Sequence, residues 1–147
     1  MPIANIHVLA GHPRPVLKRL LREASAAFAA AIDAPADRLQ VWITEVDPEL
    51  YALAGEPADE VLQQRTRASS EIPLIRMALM EGRPVQTLHR VMADLSEVTA
   101  RVLGGDPGRV RVQIDLVHPD RWAIGGVPAS ILRADELARR AAALSAA

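Results

Sequence analysis

Two prolines, Pro2 and Pro73, begin similar segments at the start and the middle of the chain. If the initiator methionine is removed, Pro2 presents a secondary amine, and an α-amino group has a reference pKa of roughly 7.7 to 8.0. Nearby cations and an apolar pocket lower that pKa, so the amine can act as a general base near pH 7. Pro73 cannot do this because its nitrogen is an amide. A small second residue is common, so Pro2 alone is weak evidence.

Two arginines in the copy that begins at Pro73 can hold an anion, although each also has a structural interpretation. Guanidinium groups bind carboxylates through paired hydrogen bonds. Arg83 lies beside a predicted helix start, where the positive end of the helix dipole disfavours a structural cation, and this favours a functional role. Arg111 lies on a polar strand face, where it could instead form an ion pair with Asp115.

Composition excludes several kinds of chemistry. The 147 residues carry a net charge of -1, with charges scattered along the chain, so neither nucleic-acid nor membrane partners are expected. Cysteine is absent, which excludes disulfides, a thiol nucleophile and a cysteine-ligated metal. No apolar run approaches a membrane span, and the N-terminus has no basic region before a hydrophobic core. We expect a soluble cytoplasmic protein of one domain.

The chain is an internal duplication. Sliding the sequence along itself by 71 residues gives 16 identities over residues 2 to 58 without a gap. The identities cover strands and turns as well as alanine-rich helices, and apolar positions mostly meet apolar positions. Two copies of one unit explain this pattern better than chance.

Each copy is predicted to contain a strand, a helix, a second strand and a tight turn. The runs IANIHVL and LIRMALM have the length of strands, and each is followed by glycine and proline at a helix entry. Helical spacing of apolar residues follows, and the later strands LQVWITEV and VRVQIDLV alternate apolar and polar residues. Leu116 is expected on the apolar face with Val110, Val112 and Ile114.

These elements predict an α/β fold in which two βαβ units form one four-stranded sheet with two helices on one face. We place the first unit at 2–58, a polar linker of one helical turn and a loop at 59–72, the second unit at 73–130 and a C-terminal helix at 131–147. The helix is interpreted as a peripheral or interface helix, without chemistry. The other sheet face needs a cover, which predicts oligomerisation.

The pattern PIANIHVLAG, EASAAFAAAIDAP, VWITEV and YALAGEPA resembles the tautomerase superfamily, in particular 4-oxalocrotonate tautomerase. The second copy, with PLIRMALMEGR and RVQIDLVHPDRWAIGG, resembles the same family independently. The resemblance implies βαβ units arranged as a hexamer, or as a trimer of fused units, and an isomerase that uses an N-terminal proline as its base. It implies a small carboxylate substrate and neither a metal nor an organic cofactor.

Carried over residue by residue, the resemblance assigns catalytic roles to Pro2, Arg83 and Arg111. It makes Trp122 the aromatic residue of the pocket and places Ile124 in the adjacent turn. The resemblance leaves open whether the arginines come from the same chain as Pro2 or from a neighbour.

The first copy departs from the family pattern, with His12, Gln40 and Tyr51 at the corresponding positions. His12 could be a helix-entry residue or a weak carboxylate binder when protonated, and Tyr51 could simply pack. Since only the first copy has a usable amine and only the second has both arginines, we expect one composite site.

Three functions remain open at this stage. The leading one is a tautomerase acting on small unsaturated 2-hydroxy or 2-keto carboxylates. The second is a hydratase or a dehalogenase of the 3-haloacrylate type, which needs a carboxylate to position water. The third is a catalytically silent oligomeric member of the same family.

Overall fold

The computed structural model describes residues 2–146, and both halves contain the same succession of elements. The strands are β1 (Ile3–Leu9), β2 (Gln40–Val46), β3 (Ala52–Leu53), β4 (Glu56–Pro57), β5 (Leu74–Met80), β6 (Arg111–Val117), β7 (Ala123–Ile124) and β8 (Val127–Pro128). The helices are α1 (Arg14–Ile32), α2 (Ala58–Val61), α3 (Arg67–Ser70), α4 (Val85–Leu103), α5 (Ala129–Leu132) and α6 (Ala134–Ser145). Single 3-10 turns lie at Ala36–Arg38, Pro48–Leu50, Pro107–Arg109 and Pro119–Arg121.

The four long strands form one sheet in the order β2, β1, β5, β6. Within each repeat the two strands are parallel, whereas β1 and β5 pair antiparallel, with Ile3 opposite Ala78 and His7 opposite Leu74. The two βαβ units therefore join edge to edge, which confirms the predicted fold class. A consequence of the antiparallel register is that the start of β1 lies beside the end of β5.

The two long helices pack on one face of this sheet and bury their apolar stripes. Fully buried side chains from α1 and α4, such as Phe28 and Leu95, share one core with Ile6 and Ile75 of the central strands. The expectation that the apolar face of β6 packs on the helices was wrong at Leu116, which is 48% exposed, because β6 is an edge strand of the single chain.

The opposite sheet face is open in the single chain. Asn5, His7, Trp42, Arg76 and Asp115 surround a shallow depression of about 230 Å³ on this face. The Thr44 hydroxyl donates a hydrogen bond to Asn5 Oδ1 over 2.9 Å. Oligomerisation through this face stays a prediction.

The segments outside the strands and long helices are more ordered than the sequence indicates. Where one helical turn was predicted between the repeats, α2 and α3 each form a turn, and the Thr66 side chain caps α3 by accepting from Ser69 N. The hairpin β7–β8 turns through Gly125 and Gly126, both at positive φ, as a primed turn requires. None of the helices in residues 2–146 is both long and apolar enough to cross a membrane.

Thr99 offers a test of core packing. It takes the place in the second repeat that Phe28 takes in the first, it is 0% exposed, and its hydroxyl has no hydrogen-bond partner among residues 2–146. Because a buried unsatisfied hydroxyl costs about 1–3 kcal/mol, we expect Thr99→Val to raise the free energy of unfolding by about 1 kcal/mol in urea titrations.

The matched change is Thr99→Ser, which keeps the hydroxyl and removes a methyl group. It should lower the free energy of unfolding by about 1 kcal/mol. A valine variant less stable than the parent would show that the hydroxyl is satisfied in solution.

Candidate active site at the start of the first strand

Pro2 immediately precedes β1, one of the two central strands of the sheet, and is buried. Its carbonyl oxygen accepts a hydrogen bond from Gln40 N over 3.1 Å, which extends the ladder between β1 and β2 by one step. Gln40 therefore lies beside Pro2, although the residue as a whole is exposed. Met1, whose removal the proposed base requires, lies outside the described residues.

A narrow cavity of about 30 Å³ brings Pro2 and Arg83 of the same chain together. The sheet register explains this, since β5 ends at Met80 next to the start of β1 and Arg83 follows three residues later. Ile124, in the short hairpin strand β7, also lines the cavity. Its charged lining, besides Arg83, is Arg38, Arg133, Glu136 and Arg140.

Arg83 is held as a largely desolvated cation. Its Nη1 donates a hydrogen bond to the Met80 carbonyl oxygen over 3.1 Å. Burial, followed by the positive charge of Arg140, lowers the pKa of Arg83 to about 10, and Glu136 opposes this shift. The guanidinium remains charged at pH 7 and can stabilise negative charge that develops in the cavity.

Helix α6 supplies charged groups that the sequence analysis did not assign to the site. Glu136 accepts a hydrogen bond from Arg38 Nη1 over 3.1 Å and another from Arg140 Nη2 over 3.0 Å. The spacing of Glu136 and Arg140 by four residues indicates an ion pair on a helix. Nothing in that spacing indicates that the two residues line a cavity with Pro2, and the interpretation of α6 as a peripheral or interface helix did not include this.

Arg111 lies at the far end of the sheet from Pro2. It is opposite Leu74, at the beginning of the parallel pair β5 and β6, six residues before Met80. At a strand rise of about 3.3 Å per residue, the two ends are about 20 Å apart. The exposed Arg111 donates from Nη1 to the carbonyl oxygens of Gly108 and Val110. Within one chain it therefore does not reach Pro2.

His12 also lies at this far end, where an internal carboxylate engages it. His12 Nε2 lies 2.7 Å from Glu71 Oε2, and both side chains are only 6% exposed. The other oxygen of Glu71 accepts a hydrogen bond from Leu9 N over 2.7 Å. His12 corresponds to Arg83 in the duplication, and its Nε2 is thus already paired with a carboxylate of the same chain.

Tyr51 and Arg109 surround this pair without contributing a free group. The Tyr51 hydroxyl donates to the Ile72 carbonyl oxygen over 3.3 Å, and burial followed by the charge of Glu71 raises the pKa of Tyr51. Arg109 donates to the carbonyl oxygens of Ser70 and Glu71. Glu71 and Arg109 were missed at the sequence level because their spacing matches no motif.

Trp122 lies on the Pro2 side of the sheet. It follows β6, which runs parallel to β5 and so ends at the same edge as Met80. The residue is half-buried, and its carbonyl oxygen accepts a hydrogen bond from Ala129 N over 2.7 Å. It is not among the residues that line the Pro2 cavity of the single chain.

A larger cavity, of about 720 Å³, lies at the opposite end from Pro2. It is lined by linker and hairpin residues, including Glu60, Gln64 and Arg65, and by Arg109 of the 3-10 turn before β6. The larger volume favours this cavity as a ligand site. The chemistry favours the narrow cavity as the active site, because it combines a potential amine base, Pro2, with a desolvated cation, Arg83. Among residues 2–146, no group of three His, Asp or Glu side chains could hold a metal ion.

The Glu71 pair yields a stability prediction. Glu71→Ala leaves Leu9 N and His12 without their partner in a buried place, so we expect the free energy of unfolding to fall by about 3 kcal/mol in urea titrations. The exposed carboxylate of Glu81 serves as the control, and Glu81→Ala should change stability by less than about 0.5 kcal/mol. Equal effects of both changes would contradict the assignment of Glu71 as a structural partner.

The fold and the site define a class of protein. Two fused βαβ units share one sheet, and a proline that begins the first strand meets an arginine of the second unit in one cavity. This is the arrangement expected of a fused tautomerase.

Comparison with known proteins agrees with this class. The family model described as "Tautomerase enzyme" matches twice, at residues 2–60 and 73–130. The chain therefore belongs to the tautomerase family of isomerases. The 2-hydroxymuconate tautomerase of Pseudomonas sp. (strain CF600) is 38% identical over 61 residues, which is 42% of this chain and 97% of that protein. The enzyme of the same name from Comamonas testosteroni is 33% identical over the same length and coverage.

Solved structures of fused relatives match the whole duplication. A native fused 4-OT superposes with a TM-score of 0.79 at 26% identity, covering 89% of this chain and 98% of that one. A structure described as the R7 fused 4-OT asymmetric trimer gives a TM-score of 0.78 at 27% identity, with the same coverage. Macrophage migration inhibitory factor from Toxoplasma gondii, at 21% identity and a TM-score of 0.67 over 86% of this chain and 98% of that one, shares the fold.

Proposed function

We propose that the protein is a cofactor-independent tautomerase that moves a proton within small unsaturated 2-hydroxy or 2-keto carboxylates. In this proposal Pro2 becomes the N-terminal residue and acts as the general base. The observation that carries the proposal is the shared cavity of Pro2 and Arg83, in which a half-buried cation lies beside the residue that precedes the first strand. Membership of the tautomerase family supports the same reaction class.

The mechanism needs one base and one or more cations. The secondary amine of Pro2 takes a proton from oxygen or carbon of the substrate, which leaves a dienolate. Arg83 binds a substrate carboxylate or stabilises the negative charge of the dienolate. The protonated amine then returns the proton to a different carbon, so the substrate is isomerised and no redox change occurs.

Arg111 enters this proposal from a second copy of the chain. It is exposed on an edge strand, about 20 Å along the sheet from its own Pro2 at the usual strand rise. The open sheet face and the exposed strand β6 provide surfaces for such an assembly. Because fused relatives are described as trimers, a homotrimer is the assembly we propose. Trp122 and Ile124 would then form the apolar wall around the substrate.

The alternative of a water-adding enzyme is supported less well. Such chemistry needs a carboxylate that is free to position water. Glu136 is the carboxylate that lines the Pro2 cavity, and two guanidinium groups already engage it. Proton transfer by Pro2 requires no such group.

Ketonisation of 2-hydroxymuconate and phenylenolpyruvate, followed by ultraviolet absorbance, tests the proposal. The first substrate is suggested by the names of the curated relatives. We expect turnover by protein that mass spectrometry shows to lack Met1, and a loss of about a hundredfold or more in kcat/KM for Pro2→Ala, because general base catalysis contributes that much.

The control is Pro73→Ala, the same substitution at the corresponding position of the second repeat, where the nitrogen is an amide. It should retain parent activity. The form that keeps Met1 should be inactive, since its Pro2 nitrogen is also an amide. Turnover that does not depend on Pro2 or on Met1 removal would contradict the proposal.

The pH dependence of kcat/KM reports on the same amine. Activity should fall as pH falls, because a protonated Pro2 cannot accept a proton. The midpoint should lie below the ordinary range of roughly 7.7 to 8.0, since neighbouring arginines disfavour the charged amine. Arg83→Gln removes one positive charge and should move the midpoint upward, whereas Arg90→Gln, on the exposed side of α4, should leave it unchanged. Equal midpoints in all three proteins would contradict the electrostatic role of Arg83.

A further inference from the structure

Helix α6 lies outside both tautomerase repeats, yet one of its arginines reaches the Pro2 cavity. The family match ends at residue 130, and α6 begins at Ala134. The aliphatic part of Arg140 packs against Gly82, where an added Cβ would lie 3.5 Å from Arg140 Cδ. Gly82 directly precedes Arg83, and both arginines line the cavity, where burial and, next, the positive charge of Arg140 lower the pKa of Arg83.

The hydrogen bonds of Arg140 are incomplete. Its Nη2 donates to Glu136 Oε1 over 3.0 Å, whereas its Nη1 is buried and has no hydrogen-bond partner among residues 2–146. The side chain is only 19% exposed. A buried charged donor without an acceptor is unfavourable, and a bound anion that accepted a hydrogen bond from it would remove this cost.

The charge around the cavity also favours an anion. Four arginines line it, and Glu136 is the acidic group among the lining residues. That carboxylate is shared, because Arg38 donates to one of its oxygens and Arg140 to the other. Neighbouring cations repel one another when they are desolvated, and a bound carboxylate would relieve this repulsion.

We propose that Arg140 is a further substrate-binding residue, which together with Arg83 forms a guanidinium pair for one carboxylate of the substrate. Glu136 is a positioning residue in this arrangement, since it holds Arg140 through Nη2 and leaves Nη1 without a partner among residues 2–146. The inference rests on the proposed function for the identity of the substrate. It makes α6 a part of the site that single-unit relatives, matched over 61 residues, do not contain.

The test compares two adjacent arginines of the same helix. Arg139→Gln and Arg140→Gln remove the same charge, but Arg139 is exposed and does not line the Pro2 cavity. We expect Arg140→Gln to raise KM for 2-hydroxymuconate about 10- to 100-fold, the effect of losing one charged hydrogen bond, with kcat changed less than about threefold. Arg139→Gln should behave as the parent protein, and Arg140→Lys should recover part of the loss.

A binding measurement separates this inference from the proposed reaction. Titration calorimetry with adipate, a dicarboxylate that cannot tautomerise in this way, should show binding that Arg140→Gln weakens by the same factor and Arg139→Gln does not. The uncharged adipamide should not bind. Adipate binding that is absent from the parent protein, or equal in the two variants, would overturn the role of Arg140.

Two further outcomes distinguish a substrate-binding role of Arg140 from a purely structural one and from failure of the proposed reaction. A loss of kcat and of thermal stability in Arg140→Gln, with KM and adipate affinity unchanged, would show that Arg140 only holds the helix in place. Turnover that is independent of Pro2 would refute the proposed reaction, whereas the adipate titration would still report on Arg140.

Discussion

The antiparallel pairing of β1 with β5 is the constraint on which the candidate site depends. It sets Ile3 opposite Ala78 and so brings the start of the first repeat beside the end of the central strand of the second. Pro2 and Arg83, which are 81 residues apart in the sequence, meet for this reason alone. A parallel junction would have placed Pro2 beside Pro73 and left Arg83 at the far end.

The duplication gives the sheet two ends of similar backbone geometry, but the side chains at these two ends differ in chemistry. At one end Pro2 can carry a free amine, and Arg83 is a desolvated cation. At the other end the proline nitrogen is an amide, and Glu71 contacts His12 from inside the chain. The His12–Glu71 pair is thus closed within the chain, whereas the first end has a buried guanidinium nitrogen without a partner among residues 2–146.

Much of the fold could be predicted because its signals are local. Alternation in VRVQIDLV and helical spacing after each Gly-x-Pro segment identify elements whose packing partner is the adjacent element in the chain. The exposure of Leu116 was not predicted, because the sequence pattern shows which face of the sheet a residue occupies but not whether a helix covers that part of the face. The place of α6 beside the cavity had no local signal for a related reason. Glu136 and Arg140 have the same spacing whether their ion pair faces solvent or lines a cavity.

The sequence by itself determined that the chain is a tandem pair of tautomerase-like units, and it singled out Pro2, Arg83 and Arg111, because periodicity and motif identity reside in neighbouring residues. Only the tertiary structure decided which of these groups meet. Sheet register places Arg83 with Pro2 and separates Arg111 from both, and the docking of α6 adds Arg140. Register and docking depend on contacts between residues far apart in the chain, for which no local spacing encodes a distance.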